Sequence, residues 1–205
     1  NPFLKPPYII AASLLWFCMV VSHAAERHLW DEGWRFALHP DDAPLQPDFK
    51  DDAWHLLDLP HDWAIEGDFY AQNPSGANGG ALPGGIGWYR KHLALHDSDA
   101  ASRYVLHFDG AYMNTSVYVN GTLLGTRPYG FISFSYDITP HLNKHGDNVV
   151  AVKVDNSRQP NSRWYTGCGV YRHVYLSKST DVRVAEWGVQ AISEVKKGVG
   201  HVTLN

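Results

Sequence analysis

The sequence predicts an all-β sandwich or jelly roll, and three observations carry that reading. Short runs alternate apolar with polar residues at period two: in Arg103–Phe108, Tyr104, Leu106 and Phe108 lie on one face, and Arg103, Val105 and His107 imperfectly oppose them. Turn-forming clusters separate the runs, among them Pro128-Tyr129-Gly130, Thr139-Pro140 and Gly146-Asp147-Asn148. After the first thirty residues, no segment sustains the 3.6-residue apolar period that a helix needs.

Each element follows in chain order. Lys5 precedes the uncharged run Tyr8–Val21, and Ser22-His23-Ala24 places small residues where a signal peptidase reads. Residues 1–24 are therefore expected to be a signal peptide, the run being too short for a comfortable bilayer span. The alternative is a buried core helix. Trp16 and Phe17 before Cys18 argue against a lipoprotein signal. The mature chain is expected to begin near Ala25 and to be exported, periplasmic or extracellular. The chain opens at Asn1 without an initiator Met and is expected to be a fragment.

Strands are expected over 29–38, 86–96, 103–108 and 113–119. Asn120-Gly121 then breaks the pattern before Thr122-Leu123-Leu124, a strong hairpin signal because both turn residues tolerate positive φ. Further strands are expected over 131–136, 149–154 and 170–176. These complete a first domain over residues 25–180. After a break near Ser177–Asp181, runs at 182–189 and 200–204, separated by Lys196-Lys197-Gly198, read as the first strands of a second β domain over 181–205.

Composition narrows the function. Seventeen Lys and Arg against 21 Asp and Glu, a net charge of −4, argue against a nucleic-acid binder, which needs a basic face. Eight Trp, eleven Tyr and eight Phe supply a sizeable core and some surface platforms. Once a signal peptide is removed, only Cys168 remains of two cysteines, so no internal disulfide is expected; Cys168 reads as a small buried side chain.

The usual catalytic signatures are weak. His92/His96 and His141/His145 have an i,i+4 spacing but fall in strand or loop, so they read as surface histidines and no metal is expected. Gly79–Gly87 lacks the Lys-Ser/Thr ending of a phosphate loop and reads as a flexible loop. No cofactor is expected. Asp41-Asp42 and Asp51-Asp52 read as solvated, and Asp62 as a turn former. No general acid and base pair is evident. What remains is an aromatic and polar constellation: Trp63, Trp88-Tyr89-Arg90, Tyr112 and Asn161-Ser162-Arg163-Trp164-Tyr165. Stacking rings beside planar amide and guanidinium donors suit a sugar, which shows apolar C–H faces ringed by hydroxyls. Core packing is the competing reading for these aromatics.

Five blocks carry a family resemblance. Leu59-Pro60-His61-Asp62-Trp63 and Leu82–Arg90 are similar to turns in the N-terminal domain of glycoside hydrolase family 2. Phe108–Asn114 and Val117–Gly121 resemble its central hairpin, and Asn161–Tyr165 through Gly169–Val174 resemble its last strand with the preceding loop. Within the family the likeness is to exported bacterial β-galactosidases, with β-glucuronidase and β-mannosidase relatives sharing the architecture. The resemblance implies a jelly-roll, galactose-binding-like β-sandwich followed by an immunoglobulin-like sandwich, truncated here, and then a catalytic (β/α)₈ barrel. It implies that both catalytic glutamates lie on that barrel, so no catalytic residue is expected in this chain and the chain alone is expected to be inactive. It also implies that the loop at Asn161–Tyr165 faces the terminal sugar, with Arg163 donating to a hydroxyl, Asn161 assisting and Trp164 shaping the pocket. The expected partners are a terminal β-galactoside and the chain's own downstream domains, with self-association left open. A stand-alone carbohydrate-binding module is the alternative, and a structural spacer is a blander one.

Overall fold

The computed structural model describes residues 26–40, 44–96, 102–185 and 188–205. The expected signal peptide over 1–24 and Asp41-Asp42 lie outside the described residues. The chain divides after Asp181, and Glu26–Asp181 form a compact unit of two antiparallel sheets. Strands are numbered in chain order: β1 Glu26–Leu29, β2 Trp34–Leu38, β3 His55–Leu57, β4 Gly85–Leu95, β5 Arg103–Phe108, β6 Thr115–Val119, β7 Thr122–Arg127, β8 Phe134–Asp137, β9 Gly146–Asn156 and β10 Val174–Ser179. One sheet runs β1-β10-β5-β8 and the other β3-β2-β4-β9-β6-β7. This is the all-β galactose-binding-like sandwich that the sequence predicts.

Alternation builds the core. From the larger sheet Trp34, Phe36, Tyr89, Val117, Val119, Val150, Val152 and Val154 point inward. Tyr104, Leu106, Phe108, Phe134, Val174 and Leu176 meet them from the smaller one. Asn120 and Gly121 take φ of 49° and 83°, which closes the β6–β7 hairpin where the dipeptide places it.

Several boundaries differ from the sequence reading. Residues 29–38 are two strands belonging to different sheets, with a turn at 30–33 between them. Asp31 fixes that turn: its carboxylate accepts from the Val174 N–H at 2.8 Å and pairs with His173 Nδ1 at 2.6 Å. Strand β3 had no alternation to announce it. Residues 131–133 and 170–173 lie outside strands, and β9 begins three residues earlier than expected. In the second unit the expected strand at 182–189 is absent among its described residues. The ribbon there is β11 Ala191–Lys196 against β12 Val199–Leu204.

Asp51 corrects a second expectation, because it is buried rather than solvated. It crosses the outer face of the larger sheet on the segment that precedes β3 and meets Arg90, which is fully buried. Arg90 Nε donates to Asp51 Oδ2 at 2.8 Å, and its Nη1 donates to the carbonyls of Pro44 at 2.5 Å and Gln46 at 3.2 Å. Arg35 Nε approaches the other Asp51 oxygen at 3.4 Å, and Phe49 lies over the Arg90 guanidinium at 5.3 Å. Trp63, Trp88, Tyr89 and Tyr112 are buried too, so core packing claims those members of the aromatic constellation.

Removing one partner of a buried ion pair leaves the other desolvated and uncompensated. Asp51→Ala is expected to lower unfolding stability by roughly 3–5 kcal/mol in urea titration. A loss below about 1 kcal/mol, the range of exposed ion pairs, would show that Arg90 is compensated some other way.

Candidate functional site

Two loops meet at one end of the sandwich, and the side chains that join them were spread across the sequence. The first begins at the Leu59–Pro60 turn. Asp62, in extended conformation, caps the short 3-10 turn Trp63–Glu66 by accepting from the Ala64 N–H at 3.0 Å. Trp63 points inward and stacks on Phe36, with ring centroids 5.8 Å apart. The second loop leaves β9 at Asn156 and returns at Gly169, where Tyr112 and Gly169 exchange backbone hydrogen bonds at 2.9 and 3.1 Å. Gly169 adopts φ +117°, and a side chain there would collide with the Tyr89 hydroxyl and the His61 carbonyl, so glycine is required.

Asp62 and Asn156 hold this second loop at its two ends. The Asp62 Oδ1 that accepts from Ala64 also accepts from the Cys168 N–H at 3.0 Å, and Oδ2 accepts from the Tyr165 hydroxyl. Asn156 Nδ2 donates to the Gly167 carbonyl at 3.2 Å and to Cys168 Sγ at 2.8 Å. Asn156 Oδ1 accepts from Gln159 Nε2 at 3.0 Å and Asn161 Nδ2 at 2.5 Å. Each end of the loop is thus tied by a side chain that satisfies at least three donors or acceptors, which leaves the segment between them little freedom.

The expected site residues separate on this frame. Asn161 is tied to Asn156 and touches Met113 Sδ at 3.7 Å. Trp164 stands 64% exposed at the lip of the loop. Arg163 between them is exposed. Asn161 and Trp164 share a cavity of about 10 Å³ with Asn156 and Cys168 and, across from them, Ser75 and Leu82; Arg163 is not on its lining. That volume holds about one water and no sugar ring. Among the described residues no three His, Cys, Asp or Glu side chains gather as a metal site would require.

The Gly-rich segment opposite is folded back on itself. Ser75 Oγ donates to the Leu82 carbonyl at 2.7 Å, Asn73 Nδ2 to the Ala81 carbonyl at 2.8 Å, and the Tyr70 N–H to the same carbonyl at 3.0 Å. It is a pinned loop rather than the loose one its glycines suggest. Sequence reasoning also missed Asn156 and the part played by Asp62. An Asn ending a valine-rich strand just before Gln159-Pro160-Asn161 was the available signal for Asn156. Nothing local could reveal that Asp62 meets Tyr165, 103 positions away.

Their surroundings give the groups beneath the loop a structural part. Burial pushes the Cys168 thiol up to about 12, so it stays protonated and unreactive at neutral pH. Burial and the neighbouring Asp62 carboxylate both raise the Tyr165 phenol, which keeps it a donor. His61 is buried with Nδ1 2.8 Å from the Tyr89 hydroxyl and Nε2 3.2 Å from Glu66. Burial holds its imidazole below the ordinary 6.5, only partly offset by Glu66.

Residues 61–186 match the family described as glycosyl hydrolase 2 galactose-binding domain-like. The chain is 56% identical over 163 residues to beta-galactosidase BoGH2A of Bacteroides ovatus, a match spanning 80% of this chain and 19% of that protein. It is 39% identical over 170 residues to a putative beta-glucuronidase of Formosa agariphila, spanning 82% and 16%. The crystal structure of a beta-glycosidase from Bacteroides vulgatus superposes with a TM-score of 0.83 at 38% identity, covering 87% of this chain and 24% of that one. The chain therefore spans about a fifth of the length of the curated relatives it matches.

The His61 environment gives the site a pH dependence with a definite sign. Well above pH 6.5 the imidazole is neutral in both folded and unfolded chains and its stabilising effect is complete. As pH falls below 6.5 the unfolded chain takes up the proton first, and stability declines until the depressed folded pKa is passed. Melting at pH 7.5 and 5.5 is expected to show a drop that His61→Gln reduces. Equal drops in both proteins would remove His61 as the cause.

Proposed function

The chain belongs to the glycosyl hydrolase 2 galactose-binding domain-like family, and on that premise we propose that it is the N-terminal domain of an exo-acting retaining β-glycosidase, a β-galactosidase, that releases terminal β-linked sugars. In this reading the two carboxylates that a retaining glycosidase sets about 5 Å apart lie on a downstream barrel. This domain walls the pocket in which they act. An immunoglobulin-like sandwich begins after residue 180 and links the two. The leader over residues 1–24 directs the protein out of the cytoplasm, to the periplasm or beyond.

The observation that carries the proposal is the loop fastened by Asn156 and Asp62, which turns Arg163 and Trp164 outward while its own cavity admits only about one water. A module that held a sugar unaided would need a concave site of several hundred Å³ lined by such groups. A wall needs the opposite, side chains projecting toward a pocket completed by another body. Arg163 then donates to a hydroxyl of the terminal sugar, Trp164 lies against its C–H face, and Asn161, fixed through Asn156, sets the angle of the segment that carries both. Since the loop is ordered before substrate arrives, little of the binding free energy goes into arranging it.

Arg163→Ala in the full-length enzyme tests this assignment. A charged hydrogen bond is worth roughly 1.5–3 kcal/mol, so kcat/KM on an aryl β-galactoside is expected to fall about ten- to a hundredfold. An unchanged kcat/KM would take Arg163 out of the site.

A further inference from the structure

A second aromatic group adjoins the candidate site and is absorbed neither by the core nor by the loop already described. The connection from β7 to β8 carries Tyr129 and Phe131, 59% and 46% exposed. Their ring centroids lie 5.6 Å apart with the planes at 74°, so the two rings form an open corner. Phe131 rests on buried Tyr112 at 5.1 Å. Tyr112 precedes Met113, whose sulfur meets Asn161. The row Tyr129, Phe131, Tyr112, Met113, Asn161 is therefore continuous with the loop that bears Arg163 and Trp164.

The mounting of these rings is rigid. Gly130, between them, is buried; its carbonyl accepts from the Tyr171 hydroxyl at 2.8 Å, and a side chain at Gly130 would collide with the Tyr112 ring. The Pro128 carbonyl accepts from the Asn114 N–H at 3.2 Å. The segment is thus fastened from below on both sides while its two rings face outward. Holding large apolar rings in water is unfavourable unless something covers them, and a fixed corner of two rings is suited to a flat apolar face. The row itself holds phenol, phenyl, thioether and amide groups and no ionised side chain, which suits the C–H faces and hydroxyls of a neutral sugar ring.

We infer that Tyr129 and Phe131 form a stacking subsite for the part of a neutral carbohydrate chain that lies beyond the terminal sugar. The inference rests on the proposed glycosidase function and adds its substrate class: an oligosaccharide or polysaccharide side chain rather than a glycoside of a small alcohol. Arg163 and Trp164 face the sugar that is released, and the corner of rings takes the portion that is kept.

Steady-state kinetics of the full-length enzyme tests it with two substrates, methyl β-galactoside, which has one ring, and an oligosaccharide ending in β-galactose. Tyr129→Ala and Phe131→Ala are each expected to raise KM on the oligosaccharide about three- to tenfold relative to KM on the methyl glycoside. Phe131→Tyr, which keeps the ring, is expected to restore the wild-type ratio. Tyr129 is the safer variant because most of its ring is in solvent, and its melting temperature serves as the check on folding. Equal changes on both substrates, or a lowered melting temperature with no shift in the ratio, would overturn the inference and assign the rings to packing against another domain. A wild-type enzyme inactive on both substrates would overturn the glycosidase reading beneath it.

Discussion

The Asp62 carboxylate is the point on which the loop end of this domain depends. One oxygen caps the turn Trp63–Glu66 through the Ala64 N–H and also takes the Cys168 N–H; the other takes the Tyr165 hydroxyl. Two segments more than a hundred residues apart are joined through a single side chain. Asn156 does the same from the far end of the loop, through both its donor and its acceptor. Asp62 and Asn156 spend their polar atoms within the protein. Their effect is to fix the short stretch that carries Asn161, Arg163 and Trp164, which is how the proposed site can be precise although it is carried on a loop.

The sandwich beneath supplies what that arrangement requires. Strand β9 ends at Asn156, so the origin of the loop is set by the register of β9 against β4 and β6. Across the larger sheet, the buried pair of Arg90 and Asp51 ties the segment preceding β3 to the outer face. His61 and Tyr89 join the turn that carries Asp62 to the core, through the hydroxyl that also receives the Val170 N–H at 3.4 Å. Position passes from strand register to turn to loop by hydrogen bonds whose partners are mostly buried, where an unmet group is costly.

What could be read beforehand was what neighbouring residues decide. Val150, Val152 and Val154 declare the inner face of β9 by alternation, and Asn120-Gly121 declares a hairpin through the positive φ that both residues take. The residue types at Asn161, Arg163 and Trp164 mark a segment that differs from the strands around it. Asp51 gave no local sign of burial, because its partner lies 39 positions away. Asp62 was legible as a cap and not as a clamp. Residues 182–185 have the apolar character of a strand, but a strand forms only where another edge receives it. Distance along the chain, more than residue type, separated what was read from what was missed.

The central claim is that this domain completes a sugar site without containing one. Calorimetric titration of this chain with galactose, lactose and a panel of polysaccharides tests it most directly, with a cooperative thermal melt to confirm that the chain is folded. The account predicts no binding tighter than millimolar for galactose, lactose or any of the polysaccharides. Micromolar binding of galactose by the folded chain would contradict it, and would make the domain a carbohydrate-binding module in its own right.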